Sequence, residues 1–211
     1  MRWREADGVE WLEAELPGAR VAFSTRGGGV SEPPFDSLNL GILTEDDPER
    51  VVENRRRLAG ALRIDPDRIA FGRQVHGAGL AVHGAVPGRP LGEADGQVVS
   101  EPGLAALVFV ADCLPVALAG PGGVAMLHCG WRGLAAGIVA RGAEAVEATD
   151  AAIGPGIGAC CYEVGDEVLD AFAALGGGIA DGRLLDLAEA ARRLLREAGV
   201  ERIESAELCT S

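Results

Sequence analysis

Three short stretches of this 211-residue sequence carry the side chains best suited to chemistry: Gln74-Val75-His76-Gly77, Ala111-Asp112-Cys113-Leu114-Pro115 and His128-Cys129-Gly130-Trp131-Arg132-Gly133. Each lies where an apolar run meets a Gly- or Pro-marked loop, the kind of place where sheets collect ligands. Two imidazoles, His76 and His128, with the Cys113 thiolate make a soft to borderline donor set that zinc binds with a fourth position open to water or substrate. The same Cys113 and His128 can instead act as nucleophile and base without a metal. They can also be a small apolar thiol in the core and a hydrogen-bonded ring. His83, in a short strand before Gly84, reads as a surface or packing residue.

A second kind of chemistry is anion binding. In Phe23-Ser24-Thr25-Arg26-Gly27-Gly28-Gly29 a strand gives way to glycines with Arg26 at the junction, and free amides beside an arginine can cradle an anion. Trp131-Arg132, ahead of a helical stretch, offers a helix N-terminus and an indole that can stack on a base or fill the core. Ile153-Gly154-Pro155-Gly156-Ile157-Gly158 has the wrong spacing for a dinucleotide loop and reads as a tight turn feeding Cys160-Cys161-Tyr162.

The elements that must position these groups are partly legible. Asp47 as N-cap and Pro48 at the first helical position mark a helix over 48–62, with Val51, Arg55, Leu58 and Leu62 on one face. Further helices are expected over 134–148, 167–175 and 187–198, the last opened by Asp186 and closed by Gly199. Strands are expected over 19–24, 69–75, 80–83, 96–100, 104–110, 115–119, 124–128 and 151–153. If Gly120-Pro121-Gly122-Gly123 is a hairpin turn, paired positions sum to about 243, so that His128 faces Pro115. Cys113 then lies on the face of His128 with Cα atoms on the order of 8 Å apart. The pattern predicts a mixed α+β fold over a single domain, residues 1–211.

Composition removes several function classes. Basic residues number 19 against 32 acidic ones, a net charge of -13, which repels nucleic acid and anionic membranes. Every basic residue is Arg, so Schiff-base chemistry and a P-loop lysine are excluded. Three histidines are too few for a multicopper centre built mainly on imidazole. The five cysteines, at 113, 129, 160, 161 and 209, form no CxxC, and Cys160 and Cys161 are adjacent, so reduced thiols in the cytosol are expected. No signal-peptide or membrane-spanning stretch is evident, and a soluble cytoplasmic protein is expected.

In this order, FSTRGGGVS, SLNLG, ENRRRL, QVHG, ADGQVV, ADCLPV, HCGWRG and IGPGIGACCYEVGDEV resemble the YfiH family, labelled first as polyphenol oxidase laccases and later as purine nucleoside phosphorylases. The resemblance runs from about Val21 to Val168, and patchily on to Cys209-Thr210. It implies a four-layer α/β/β/α fold with mixed β-sheets, and a zinc site, copper being the lesser expectation, whose ligands map onto His76, Cys113 and His128. It also implies phosphorolysis of adenosine, inosine and S-methyl-5′-thioadenosine, with adenosine deamination as a further activity. The partners are then a small-molecule nucleoside and phosphate, and the protein a monomer or small homo-oligomer. Arg26 and Asn39 fall in the FSTR and SLNLG words and, with Arg132, are expected near the substrate. A Cys-His amidohydrolase acting on a cell-wall precursor is the main alternative, and a laccase-type oxidoreductase the next. The family usually has Ala where Cys129 stands here, which is expected to add a thiol beside the metal. Its members also usually continue past Cys-Thr with an arginine-rich segment that this sequence, ending at Ser211, does not include.

Overall fold

The computed structural model describes residues 1–84 and 92–211. The chain opens with a hairpin of β1 (Arg2–Ala6) and β2 (Val9–Leu16), joined by Asp7-Gly8 with both φ angles positive, at 51° and 77°. An Asp-Gly pair favours that turn because its twist matches the flanking strands. A second turn at Pro17-Gly18 leads to β3 (Ala19–Ser24), completing a three-stranded antiparallel sheet. The side chains of β2 alternate, as strand geometry requires. Val9 and Trp11 pack on one face, against Leu58, Ala61 and Leu62 of helix α1 (Pro48–Leu62). Leu12 and Ala14 pack on the other, with Val21 and Phe23 of β3.

Further along come β4 (Ile69–Ala70), β5 (Leu80–His83), β6 (Gly96–Val99), β7 (Ala105–Ala106), β8 (Leu114–Gly120) and β9 (Gly123–Cys129). Helices α2 (Trp131–Ala135) and α3 (Ile138–Val146) precede β10 (Asp150–Ile153) and α4 (Asp166–Ala171). The chain then runs through β11 (Ala180–Asp181), β12 (Leu184–Leu185), α5 (Leu187–Glu197) and β13 (Arg202–Ser205). A six-stranded mixed sheet has the order β13-β10-β8-β9-β6-β5. One of its faces meets the small sheet, where Ala117 and Ala152 touch the Leu12 and Phe23 group. The other face carries Leu118, Leu127 and Ile153 under Ile138 and Val139 of α3 and Leu187 and Leu195 of α5. The layers therefore run α1, small sheet, large sheet, α3 with α5: the four-layer α/β/β/α arrangement. Each large side chain buried between them contributes roughly 1.5–3 kcal/mol.

The α1 limits agree with the capping signal, and the Asp47 side chain accepts the Glu49 amide at 2.9 Å. The hairpin register also agrees: Pro115 pairs with His128 and Ala119 with Val124. Other expectations need correction. The strand expected over 69–75 is two residues long, as is the one over 104–110. Past their short ladder, Gln74 donates through Nε2 to the Phe109 carbonyl and accepts the Phe109 amide through Oε1, both at 2.7 Å. The helix expected over 134–148 starts at Trp131 and breaks at Gly137, whose φ of 83° no right-handed helix accommodates. The one over 167–175 is helical only to Ala171, followed by a 3-10 turn at Ala173–Leu175. Strands β1, β2, β11, β12 and β13 are not among the expected ones.

Candidate metal centre

The β8–β9 hairpin delivers two of the three groups. Cys113 sits just before β8 and His128 near the end of β9, across the ladder from Pro115. His76 comes from the loop before β5, with a left-handed φ of 59°, unusual for a residue with a side chain. One imidazole nitrogen from each histidine and the Cys113 Sγ all lie within 4.8 Å of one another. The two rings meet edge to face with centroids 4.8 Å apart. His128 is buried, Cys113 half-buried and His76 exposed, so the group opens to solvent on one side.

Asp95, fully buried immediately before β6, organises this cluster, and sequence reasoning assigned it no role. Its carboxylate accepts the amides of Val75 (3.1 Å), His76 (2.9 Å) and Gly77 (2.9 Å). It also accepts Nδ1–H of His128 at 2.8 Å. That bond sets the tautomer and leaves Nε2 of His128 as a lone pair. Burial lowers the His128 pKa, with Asp95 pulling the other way, so the ring is neutral at physiological pH. The signal was present in ADGQVV: a carboxylate just ahead of an apolar strand has no reason to be buried unless something donates to it.

The donor set fits a zinc ion. Two imidazoles and a thiol converge with a carboxylate behind one imidazole, the outer-shell arrangement typical of zinc-bound histidine. Space is reserved as well. A Cβ on Gly130 would stand 2.8 Å from the Cys113 Sγ and 3.4 Å from Cδ2 of His76. Gly130→Ala should therefore push the Cys113 sulfur aside and weaken zinc binding by about tenfold or more, with little change in unfolding midpoint. A chelator-competition titration reads this directly, and wild-type affinity in the variant would remove Gly130 from the account.

Cys129 does not stand beside the cluster, contrary to expectation. It follows His128 in β9 and so points to the opposite face, fully buried among Leu134 and its neighbours, where burial pushes its thiol far up. His83 is a packing residue, buried with Nε2 at 2.8 Å from the Gln97 Oε1.

The substrate candidates occupy three settings. Arg26 is three-quarters exposed, with Nε on the Asp36 carbonyl (2.8 Å) and one Nη on the Asp36 carboxylate (3.1 Å). The amides of Gly27 and Gly29 are not free as expected, since Thr25 Oγ1 and Ser37 Oγ accept them. Asn39 ties its own loop together: Nδ2 donates to Thr44 and Asp46, and Oδ1 accepts the Gly41 amide. Arg132 lies exposed over the Trp131 ring, 4.3 Å from its centroid.

Fold and site together define a four-layer α/β/β/α protein with a histidine–cysteine–histidine centre at the open end of a central hairpin. Residues 20–211 match the family model described as multi-copper polyphenol oxidoreductase laccase. The chain is 39% identical over 208 residues to the purine nucleoside phosphorylase YfiH of Escherichia coli, covering 92% of this chain and 84% of that one. It is 42% identical over 209 residues to a purine nucleoside phosphorylase of Deinococcus radiodurans, covering 92% and 81% respectively. The crystal structure of YlmD from Geobacillus stearothermophilus superposes with a TM-score of 0.88 at 34% identity, over 98% of this chain and 88% of that one. The chain belongs to the YfiH family. Among the described residues, no helix is long and apolar enough to cross a membrane.

Proposed function

We propose that this chain is a cytoplasmic, zinc-dependent purine nucleoside phosphorylase that acts on adenosine, inosine and S-methyl-5′-thioadenosine and also deaminates adenosine. The observation that carries the reading is the convergence of His76, Cys113 and His128 on one point, with Asp95 behind His128. The names of its relatives supply the reaction class. In phosphorolysis a phosphate oxygen bonds to C1′ of the ribose as the bond to the purine nitrogen breaks; the electron pair leaves with the base, which takes up a proton. When bound, zinc supplies Lewis-acid stabilisation of developing negative charge and a water of lowered pKa for deamination. The chain's own part is to hold the three ligands in one tautomeric state and to place cationic groups for the phosphate. Arg26 and Arg132 are the proposed anion contacts, and Asn39 acts through the loop it ties together.

The net charge of -13 repels phosphate at long range, so local arginines must offset it. Arg26→Ala should lower phosphate-dependent adenine release from adenosine by about tenfold or more, and inosine formation much less. Chromatography of one reaction with and without phosphate reports both products. Equal losses would make Arg26 a support of the loop, and adenine release indifferent to phosphate in the wild type would sink the phosphorylase reading.

One observation favours a second reading, a metal-free hydrolase of amides. Asp95, His128 and Cys113 stand in the sequence orienter, base, nucleophile. Against it, burial together with Asp112 and Asp95 raises the Cys113 pKa, which disfavours a free thiolate. Activity that survives complete chelation of zinc would favour the hydrolase.

A further inference from the structure

Three of the five cysteines lie outside this centre and gather at a second point. Cys160 and Cys161 sit in the loop after β10, and Cys209 follows β13. The sulfurs of Cys160 and Cys161 are 3.1 Å apart and those of Cys161 and Cys209 3.3 Å. All three thiols are exposed and lie within 4.8 Å of one another.

The surroundings hold them there. The bridge between Gly156 and Cys209 lays the two segments side by side, and the Thr210 amide donates to the Gly156 carbonyl at 3.1 Å. The Gly158 amide donates to the Cys209 Sγ at 3.2 Å. Gly158 also keeps the pocket open, because a Cβ there would stand 3.3 Å from the Cys209 Sγ and 3.4 Å from the Cys160 Sγ.

We propose that Cys160, Cys161 and Cys209 form a second metal site, a three-thiolate cradle for a soft divalent ion of the zinc type, distinct from the His76, Cys113 and His128 centre. A disulfide needs sulfurs about 2.05 Å apart, and adjacent cysteines bridge poorly. Zinc–thiolate bonds of about 2.3 Å in a tetrahedron need sulfurs about 3.8 Å apart, which exposed side chains reach by a small rotation. Binding replaces three S–H protons, released to solvent, by three metal–sulfur bonds, and water takes the fourth position. The ion would clamp the segment around Cys209 to the loop around Gly156. That clamp reaches the first centre, since the Thr210 hydroxyl donates to the Asp112 carboxylate at 3.0 Å and the Ile157 amide to the Asp112 carbonyl, next to Cys113.

The test is a zinc titration of the reduced full-length chain, with cobalt(II) as a spectroscopic probe. The wild type should take up about two ions per chain, and Cys161→Ser and Cys209→Ser about one each. Affinity at the lost site should fall by more than about a hundredfold, beyond the effect of an outer-shell partner. In a Cys113→Ala background the thiolate-to-cobalt absorption should persist, and disappear when Cys209→Ser is added. Saturation of the wild type at about one ion, undiminished binding in both serine variants, or a Cys161–Cys209 disulfide that takes up no ion after reduction would each overturn the proposal.

Discussion

Replacing Cys113 by Ala should strip the first centre of most of its zinc and lower adenosine phosphorolysis by more than about a hundredfold. The thiolate is the ligand that most strongly fixes zinc in a mixed nitrogen–sulfur site, and no other sulfur can stand in. Cys129 faces the core on the opposite side of β9, and the remaining cysteines gather at their own point. The fold should tolerate the change, because the half-buried Cys113 belongs to none of the buried clusters. Elemental analysis after zinc loading, with far-UV circular dichroism as the folding control, checks it. Since the second site would keep its own ion, the count should be made in a Cys209→Ser background, where it should drop from about one to near zero. Full retention there, or copper found in excess of zinc in the purified wild type, would count against the assignment.

The other large effect belongs to Asp95. Substitution by Ala leaves three loop amides and the His128 Nδ1–H without an acceptor. At about 1 kcal/mol or more per orphaned donor, the loss is about 3–5 kcal/mol. Asp95→Asn preserves the volume and one acceptor oxygen, so it should fold while losing about 10–100-fold in zinc affinity. The pH dependence of stability gives an independent readout. Burial works against the Asp95 charge, but hydrogen bonds from His128, Gly77 and Val75 outweigh it and hold the carboxyl below its ordinary value of 3.8. Its contribution is therefore complete above that value and lost as pH falls through the lower folded one. His128 behaves in the same sense for a different reason. Burial, the largest influence, lowers its pKa below 6.5, so the unfolded chain takes the proton first and stability declines as pH drops below 6.5. Urea unfolding of the zinc-free wild type should show both stages, and Asp95→Asn should lack the more acidic one. Identical profiles would mean that Asp95 is not the anchor of the loop.

What the sequence disclosed followed the reach of each signal. Asp47-Pro48 acts within one turn of helix, so α1 was legible to its limits. The register of β8 and β9 was legible because three glycines and a proline fix a tight turn and leave few pairings. That register put Cys113 and His128 on one side, whereas nothing local ties His76 to them; the tie is Asp95, whose four bonds cross 18 to 33 residues of chain. Asp7-Gly8 was a readable hairpin signal, but charges among the flanking apolar residues obscured the alternation in β1 and β2. The length of β4 and β7 was not readable, since a side-chain bond from Gln74 ends their ladder, and composition does not distinguish that from a continued strand. Gly137 offered a helix break within an otherwise good helical pattern, which an isolated glycine does not announce.

The route by which the three ligands meet has a kinetic side. Cys113 and His128 flank one hairpin closed by a two-residue turn, a contact of the kind that forms on a timescale of microseconds. His76 reaches them only through the loop before β5, whose amides wrap Asp95 at the head of β6, the strand that pairs with β9. Pairings of that sequence separation come late in folding, because the chain must be closed before the contact rewards it. Binding by all three ligands therefore requires the assembled large sheet as much as the presence of three side chains.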